Sequence, residues 1–360
     1  MTIAAGIATR SGDRRSAARL AILLLAAGLL SAVVASLSVG PSAIALGDLL
    51  GAVRYWLAGA GVEPAPATRT ILIDIRLPRM AMGVLVGMLL AVAGTILQGL
   101  FRNPLADPGL IGISSGASLG AVLSIVLGGG VLASMLSPFG VYQLPALAFA
   151  GSLVVTLILY AVSTRGGRTS VPTMLLAGIA LAAIAAALMG ILIYMSDDRQ
   201  LRDITFWSLG SLSGATWQKI GALAPLALLV TIIAALIANG LNAIMLGEAE
   251  AGHLGIPVQR LKRLAIVAVA AAVGAAVAFS GTIGFVGLIV PHLLRLAIGP
   301  DHRFLLPAAG LAGAILILLA DLVSRMVVAP AELPIGIVMA LLGGPFFLWL
   351  LLRRRAILDV

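Results

Sequence analysis

Two charged groups stand inside apolar sequence where charge is costly. In "ADLVSRMVVAPAELPIG" (320–336), Asp321 precedes Arg325 by four residues, and the run breaks at Pro330 and Glu332. At that spacing, acid before base, the two side chains meet on one helix face and neutralise each other. An arginine at the centre of a bilayer costs about 2.5–3.5 kcal/mol. Arg325 lies roughly 7 Å below the helix end marked by Pro330, at 1.5 Å rise per residue, so its long side chain can reach the interface. In "RLPR", Arg76 and Arg79 sit three apart at a helix start that Pro78 favours. A guanidinium is suited to bidentate recognition of a carboxylate.

Other chemistry is missing. The lysines are Lys219 and Lys262, and no G-x-x-x-x-G-K-[ST] is present, so nucleotide phosphates have no cradle of that kind. There is no H-E-x-x-H, and His253, His292 and His302 are scattered. With no cysteine, disulfides, thiolate metal sites and cysteine nucleophiles are excluded. Asp321 is the acid set well inside an apolar run, where proton- or sodium-coupled transport usually needs intramembrane acids or unwound helices. No hydrolytic or redox constellation is visible.

The elements that must position these residues are membrane helices. The chain is 61% hydrophobic and 10% charged, with mean hydropathy +1.15; a soluble domain is about a quarter charged. The expected fold is all-α and polytopic, a single membrane domain over 1–360. The expected spans are 19–39, 78–100, 111–130, 143–163, 171–195, 217–238, 262–280, 284–299, 304–328 and 335–352. The basic N-terminus resembles a signal peptide, but its apolar stretch exceeds the usual length of about 7–15 residues and reads as a retained first span. The net charge of +9 does not indicate nucleic acid, because the basic residues cluster at span ends. Arg10, Arg14, Arg15, Arg19 and Arg353–Arg355 place both termini in the cytoplasm. "AVAGTI" (91–96) and "AVAFSGTI" (276–283) end spans of opposite direction, which raises an inverted repeat of spans 2–5 and 7–10. Gly83 and Gly87, four apart, allow close helix approach.

Three stretches lie between spans: 40–77 and 196–216 outside, 239–261 inside. The outer "SDDRQLRDITFWSLGSLSGAT" reads as a short amphipathic helix. The inner stretch has Ile244, Met245, Leu246, Ala249 and Leu254 near helical spacing, with Gly252 and Gly255 as breakers and Pro257 opening the next helix. Such a helix is either a knob for a partner or an interfacial element. Residues 102–108, "RNPLADP", form a turn.

Residues 76–120, 246–263 and 280–351 together resemble the FecCD family, permeases of ABC importers for ferric siderophores, haem and cobalamin, and no departure is detected in these blocks. The resemblance implies ten spans, a homodimer with the path at its axis, a separate ATPase dimer that holds ATP and Mg, and a periplasmic binding protein. It implies an inner-membrane location and no catalysis by this chain. By resemblance, Arg76, Arg79 and Arg325 form outer pockets for binding-protein glutamates, exposed upward. Leu246, Gly247, Glu248, Ala249, His253, Leu254 and Gly255 form the coupling segment (about 240–261), and Asn103 and Leu105 a cytoplasmic gate. His292 is assigned to packing or to a helix hydrogen bond.

The stretch 200–217 resembles haem permeases most, which makes haem the expected cargo. Arg199 and Arg202 would then meet propionates, with Tyr194 or Met195 near the iron or ring. Local pairing of Arg199 and Arg202 with Asp197, Asp198 and Asp203 is the competing reading. A ferric siderophore or cobalamin importer is the alternative cargo class. An ion-coupled secondary transporter and a membrane scaffold are the alternatives of other kinds.

Overall fold

The computed structural model describes residues 15–40, 44–58, 65–130, 133–166 and 168–358. Arg10 and Arg14, part of the charge argument, lie outside the described residues. The elements in chain order are α1 (Arg15–Ser38), α2 (Leu46–Ala58), α3 (Pro66–Thr70), α4 (Leu77–Leu100), α5 (Ile113–Leu127), α6 (Ala133–Leu136) and α7 (Gln143–Ser163). A two-stranded hairpin follows, β1 (Thr164–Arg165) with β2 (Arg168–Thr169). Then come α8 (Val171–Tyr194), α9 (Asp198–Ser208), α10 (Trp217–Leu246), α11 (Glu248–His253), α12 (Val258–Ser280), α13 (Val286–Ile298), α14 (His302–Met326) and α15 (Ile335–Leu358).

Among the described residues, seven helices are long and apolar enough to cross a membrane, and three shorter apolar helices cover 113–127, 286–298 and 335–350. Several boundaries differ from expectation. The span expected from 78 begins at Pro66, because α3 runs into α4 through a π-helical turn over Ile71–Arg76, giving one helix of 35 residues. Pro66 and Pro78 do not break it: each lies where a helical segment starts, and the wide turn between absorbs the register change. The sixth span runs on to Leu246 and α12 already starts at Val258, so the stretch between them is shorter than the expected 239–261.

The two short helices share a design. α5 (15 residues) and α13 (13 residues) reach roughly 20–22 Å at 1.5 Å per residue. Each follows a long helix and a break in the α-helical path, 101–112 (which holds a 3-10 turn over Pro108–Ile111) or 281–285. The two segments meet: Asp107, Pro108, Ser114, Thr282, Phe285 and Gly287 line a cavity of about 220 Å³. Irregular backbone at such depth is tolerated where protein or a cavity surrounds it. The first break lies after the sequence segment 91–96 and the second overlaps the end of 276–283, and α4 packs on α14 as α12 packs on α7.

Helices α4 and α12 form the centre, with Val86, Leu89, Ala93, Ala272 and Ala275 fully buried. Gly87 is required by close approach, since a Cβ there would stand 2.7 Å from the Gly313 carbonyl carbon and 2.9 Å from the Ala314 Cα. Gly83 faces the side chains of Leu318 and Leu212 instead. α8 lies at the periphery, with Met174, Gly178, Ala185 and Leu192 as its buried residues.

Candidate functional site

Chemistry-bearing residues collect at the two ends of the bundle. One end, the rim face, carries the start of α4, the end of α14 and helix α9. There Asp321 is 1% exposed and is shared by two arginines. Arg79 donates from Nε (3.0 Å) and Nη2 (2.9 Å) to Asp321 Oδ1, and Arg325 Nε lies 3.1 Å from Asp321 Oδ2. Arg79 Nη1 also donates to Glu332 Oε1 at 2.7 Å. The remaining guanidinium donors reach the end of α1. Arg325 Nη2 donates to the Ser36 carbonyl and hydroxyl at 3.3 Å, and Arg76 Nη1 to the carbonyls of Ser38 (3.1 Å) and Leu37. The last carbonyls of a helix lack intrahelical partners and carry its negative pole, so cations fit there.

Arg76, Arg79 and Arg325 are 5%, 7% and 4% exposed. The expectation of outward-facing charge at Arg325 is thus corrected: α1 covers it. The pairing within α14 exists, but Asp321 binds Arg79 as well, which spacing along one helix does not reveal. Glu332, whose side chain is 38% exposed, is the accessible member of the group. It also lines a rim cavity of about 360 Å³ with Phe206, Trp207, Ser211 and Pro334.

Helix α9 is the amphipathic segment expected from sequence. A capping box joins Asp197 and Gln200, and Ile204 packs with Val122 and Leu192. Arg199 and Arg202 are exposed, and among the described residues neither forms an ion pair with Asp197, Asp198 or Asp203. Phe206 joins them at helical spacing, 59% exposed, a residue the sequence argument did not single out. Tyr194 (92% exposed) and Met195 (64%) end α8 on the same face of the bundle.

The opposite end, the α11 face, is built differently. Gly247, at φ +139°, links α10 to α11 in a conformation almost confined to glycine. Gly252 lies within α11 rather than breaking it. The helix ends at Gly255 in a Schellman arrangement, with Ile256 N–H bonded to Ala251 O (3.0 Å) and Gly255 N–H to Gly252 O (2.9 Å). Ala251 is buried, whereas Leu246 (68%) and Leu254 (64%) are exposed, as are Ala249, His253 and Gly255. The result is a small apolar knob. At its base Lys262 Nζ lies 2.7 Å from each carboxylate oxygen of Glu248.

On this face the 102–108 turn is also fixed. Asn103 Oδ1 accepts from Leu105 N–H at 3.0 Å, and Asp107 Oδ1 from Gly109 N–H at 2.8 Å. Arg102 takes φ +49° to close α4. Asp301 bonds Arg303 and the Asn242 amide, and the Arg303 guanidinium lowers its carboxyl pKa to about 2. His292 is buried edge-on to Phe346, with ring centroids 6.0 Å apart, as a packing role requires.

A bundle of apolar helices with two broken members, a charged rim and an apolar knob is the architecture of a multi-pass membrane permease. Residues 23–353 match the FecCD transport family, and the chain belongs to that family as a permease of ABC-importer type. It is 50% identical over 291 residues to the hemin transport system permease protein HmuU of Yersinia pestis, covering 79% of this chain and 84% of that one. It is 42% identical over 337 residues to the vitamin B12 import system permease protein BtuC of Salmonella typhimurium, covering 92% and 94%. A solved inward-facing ABC transporter of metal-chelate type superposes with TM-score 0.80 at 32% identity, over 93% of this chain and 99% of that one.

Proposed function

We propose that this permease imports haem. It works as a homodimer of ten-span subunits with both termini in the cytoplasm, beside a separate ATPase pair that holds ATP and Mg. A periplasmic binding protein delivers the cargo. The observation that carries the cargo assignment is the 50% identity to a hemin permease, against 42% to a B12 permease. The exposed face of α9 supports it. Arg199, Arg202 and Phe206 lie at i, i+3 and i+7, which sets two cations beside an aromatic ring. Haem is a flat apolar ring with two propionates, so guanidinium–carboxylate and ring–ring contacts both suit it. Tyr194 and Met195, at the end of α8, stand at the entry of the same path.

The rim face is the outer side. There Arg79 is held by Glu332, a carboxylate that stands where a binding-protein glutamate would bond. Docking then exchanges one carboxylate for another, and Arg76 and Arg325 hold the covering end of α1 in place. The α11 face is the cytoplasmic side. Leu246, Leu254 and Ala249 offer the ATPase an apolar contact around Gly247, Glu248, His253 and Gly255, and the fixed turn at Asn103 and Leu105 closes the path above it.

The test is uptake by proteoliposomes containing the permease and its ATPase, with the binding protein loaded in turn with haem, a ferric hydroxamate, a ferric catecholate and cobalamin. ATP-dependent uptake of haem is expected. Uptake of any other cargo with none of haem defeats the assignment and leaves the importer class intact.

A further inference from the structure

We propose that Lys262 is a positioning residue that ties α11 to the foot of α8, so that displacement of the knob moves a path-lining helix. This rests on the reading of α11 as the ATPase contact.

An ammonium has three donors and no acceptor. Lys262 finds three acceptors: both oxygens of Glu248 at 2.7 Å and the Thr169 carbonyl at 2.8 Å. It is 2% exposed, whereas the Glu248 side chain is 42% exposed, so water is kept from the ammonium end of the pair. Glu248 is the first residue of α11. Thr169 ends the β-hairpin, one residue before Ser170, whose hydroxyl caps α8 by accepting from Thr173 N–H. The Thr169 N–H is held as well, donating to Gln259 Oε1 at 3.1 Å. Both backbone groups of Thr169 are therefore bonded by side chains of the first turns of α12, and one of those side chains also grips α11.

The consequence for motion follows from packing. Much of the length of α8 is exposed in the chain, including Leu176 (70%) and Ile179 (62%). A helix with few buried contacts is free to shift, and its direction is set by what holds its ends. Here its foot is joined to α11 through the buried ammonium of Lys262, whose carboxylate partner Glu248 is partly exposed. Without the ammonium, α11 and α8 share only the covalent path through α12 and the bundle.

The experiment compares the unmodified permease–ATPase complex in nanodiscs with Lys262→Met, Lys262→Arg and the exchanged pair Glu248→Lys/Lys262→Glu. It measures cargo moved per ATP hydrolysed, and amide hydrogen exchange of residues 169–176 and 248–255 with and without ATP. Lys262→Met is expected to keep the ATP response of 248–255, lose that of 169–176, and lower cargo per ATP about tenfold. Lys262→Arg, which keeps donors, should recover both to within about threefold. The exchanged pair restores opposite charges, but a glutamate cannot donate to the Thr169 carbonyl, so coupling should stay low. If Lys262→Met still transmits the response to 169–176, or the exchanged pair restores coupling, the tether is overturned. If 248–255 does not respond to ATP in the unmodified complex, the ATPase-contact reading falls, and the tether with it. Should Lys262→Met fail to assemble, Gln259→Leu removes only the second bond to Thr169. A fall of about threefold in cargo per ATP is expected there, and an unchanged value overturns the proposal.

Discussion

At the rim, Asp321 is 1% exposed and serves two arginines; at the α11 face, Glu248 is partly exposed and serves one lysine. The rim group joins three helices, α1, α4 and α14, through three guanidiniums and two carboxylates, and only Glu332 is left accessible. The α11 face keeps its ion pair at the base of the knob and exposes leucines at its tip. The difference suggests two kinds of partner contact. A charged rim favours fast, salt-sensitive encounter, whereas an apolar knob gives contact that depends on shape and little on ionic strength.

The largest expected effect comes from breaking the rim group at its centre. Asp321→Asn leaves Arg79 and Arg325 buried with their shared countercharge removed. Removing one partner of a buried ion pair costs about 3–5 kcal/mol. Glu248→Gln should cost less, about 1.5–3 kcal/mol, the range for a hydrogen bond to a charged group, because its partner keeps the Thr169 carbonyl. Detergent-titrated unfolding of both variants measures the order. Equal losses would show that the two ends are not differently built.

Next is Leu254→Ser on the knob. Truncating a central apolar anchor typically costs about 2 kcal/mol, or roughly 30-fold in affinity. The loss should appear in ATPase association, at low and high salt alike, with binding-protein affinity unchanged. A loss confined to low salt would mean that charge dominates at this end too.

The sequence revealed the two ends unequally. The α11 knob was legible because helical spacing of apolar residues, Gly255 and Pro257 are local signals, and the structure keeps its exposed leucines; Gly252 misled, since it lies inside the helix. The span Gln143–Ser163 was also legible to the residue, since both its ends are marked by polar groups. The burial of Arg76 and Arg325 was not. It arises from carbonyls 38 and 289 positions away in sequence, at Ser38 and Ser36, which no periodicity reports. Lys262 was hidden for the same reason: its third acceptor lies 93 positions away in a two-residue strand. The run from Pro66 to Leu100 was misread because proline usually marks a boundary, and a π turn removed it.

A smaller effect sharpens the rim side. Glu332→Gln weakens the internal carboxylate on Arg79 without removing a buried charge. Binding-protein affinity should rise about three- to tenfold at low ionic strength, an effect that shrinks as salt shortens the Debye length to about 8 Å under physiological conditions. The check is titration of the binding protein onto the permease in nanodiscs at two salt concentrations. An unchanged or reduced affinity would show that Glu332 does not compete for Arg79.

The smallest effect separates a surface pair from the buried ones. Asp301, on the α11 face, has its carboxyl pKa lowered to about 2, chiefly by its hydrogen bonds with the Arg303 guanidinium. A carboxyl with a lowered folded-state pKa adds stability that is present above its unfolded value of 3.8 and is lost as pH falls through 3.8 toward 2. The full shift overstates the gain, because the Arg303 side chain is 47% exposed and water screens the pair; surface pairs are worth about 0–1 kcal/mol. Asp301→Asn keeps an oxygen to cap α14 but cannot ionise. Its stability should therefore lie less than about 1 kcal/mol below the unmodified chain at pH 6 and converge with it only as pH falls below about 2. Thermal unfolding of both proteins across that range measures the gap. A gap that widens as pH falls has the wrong sign for this linkage and would remove the Asp301–Arg303 pair as its cause.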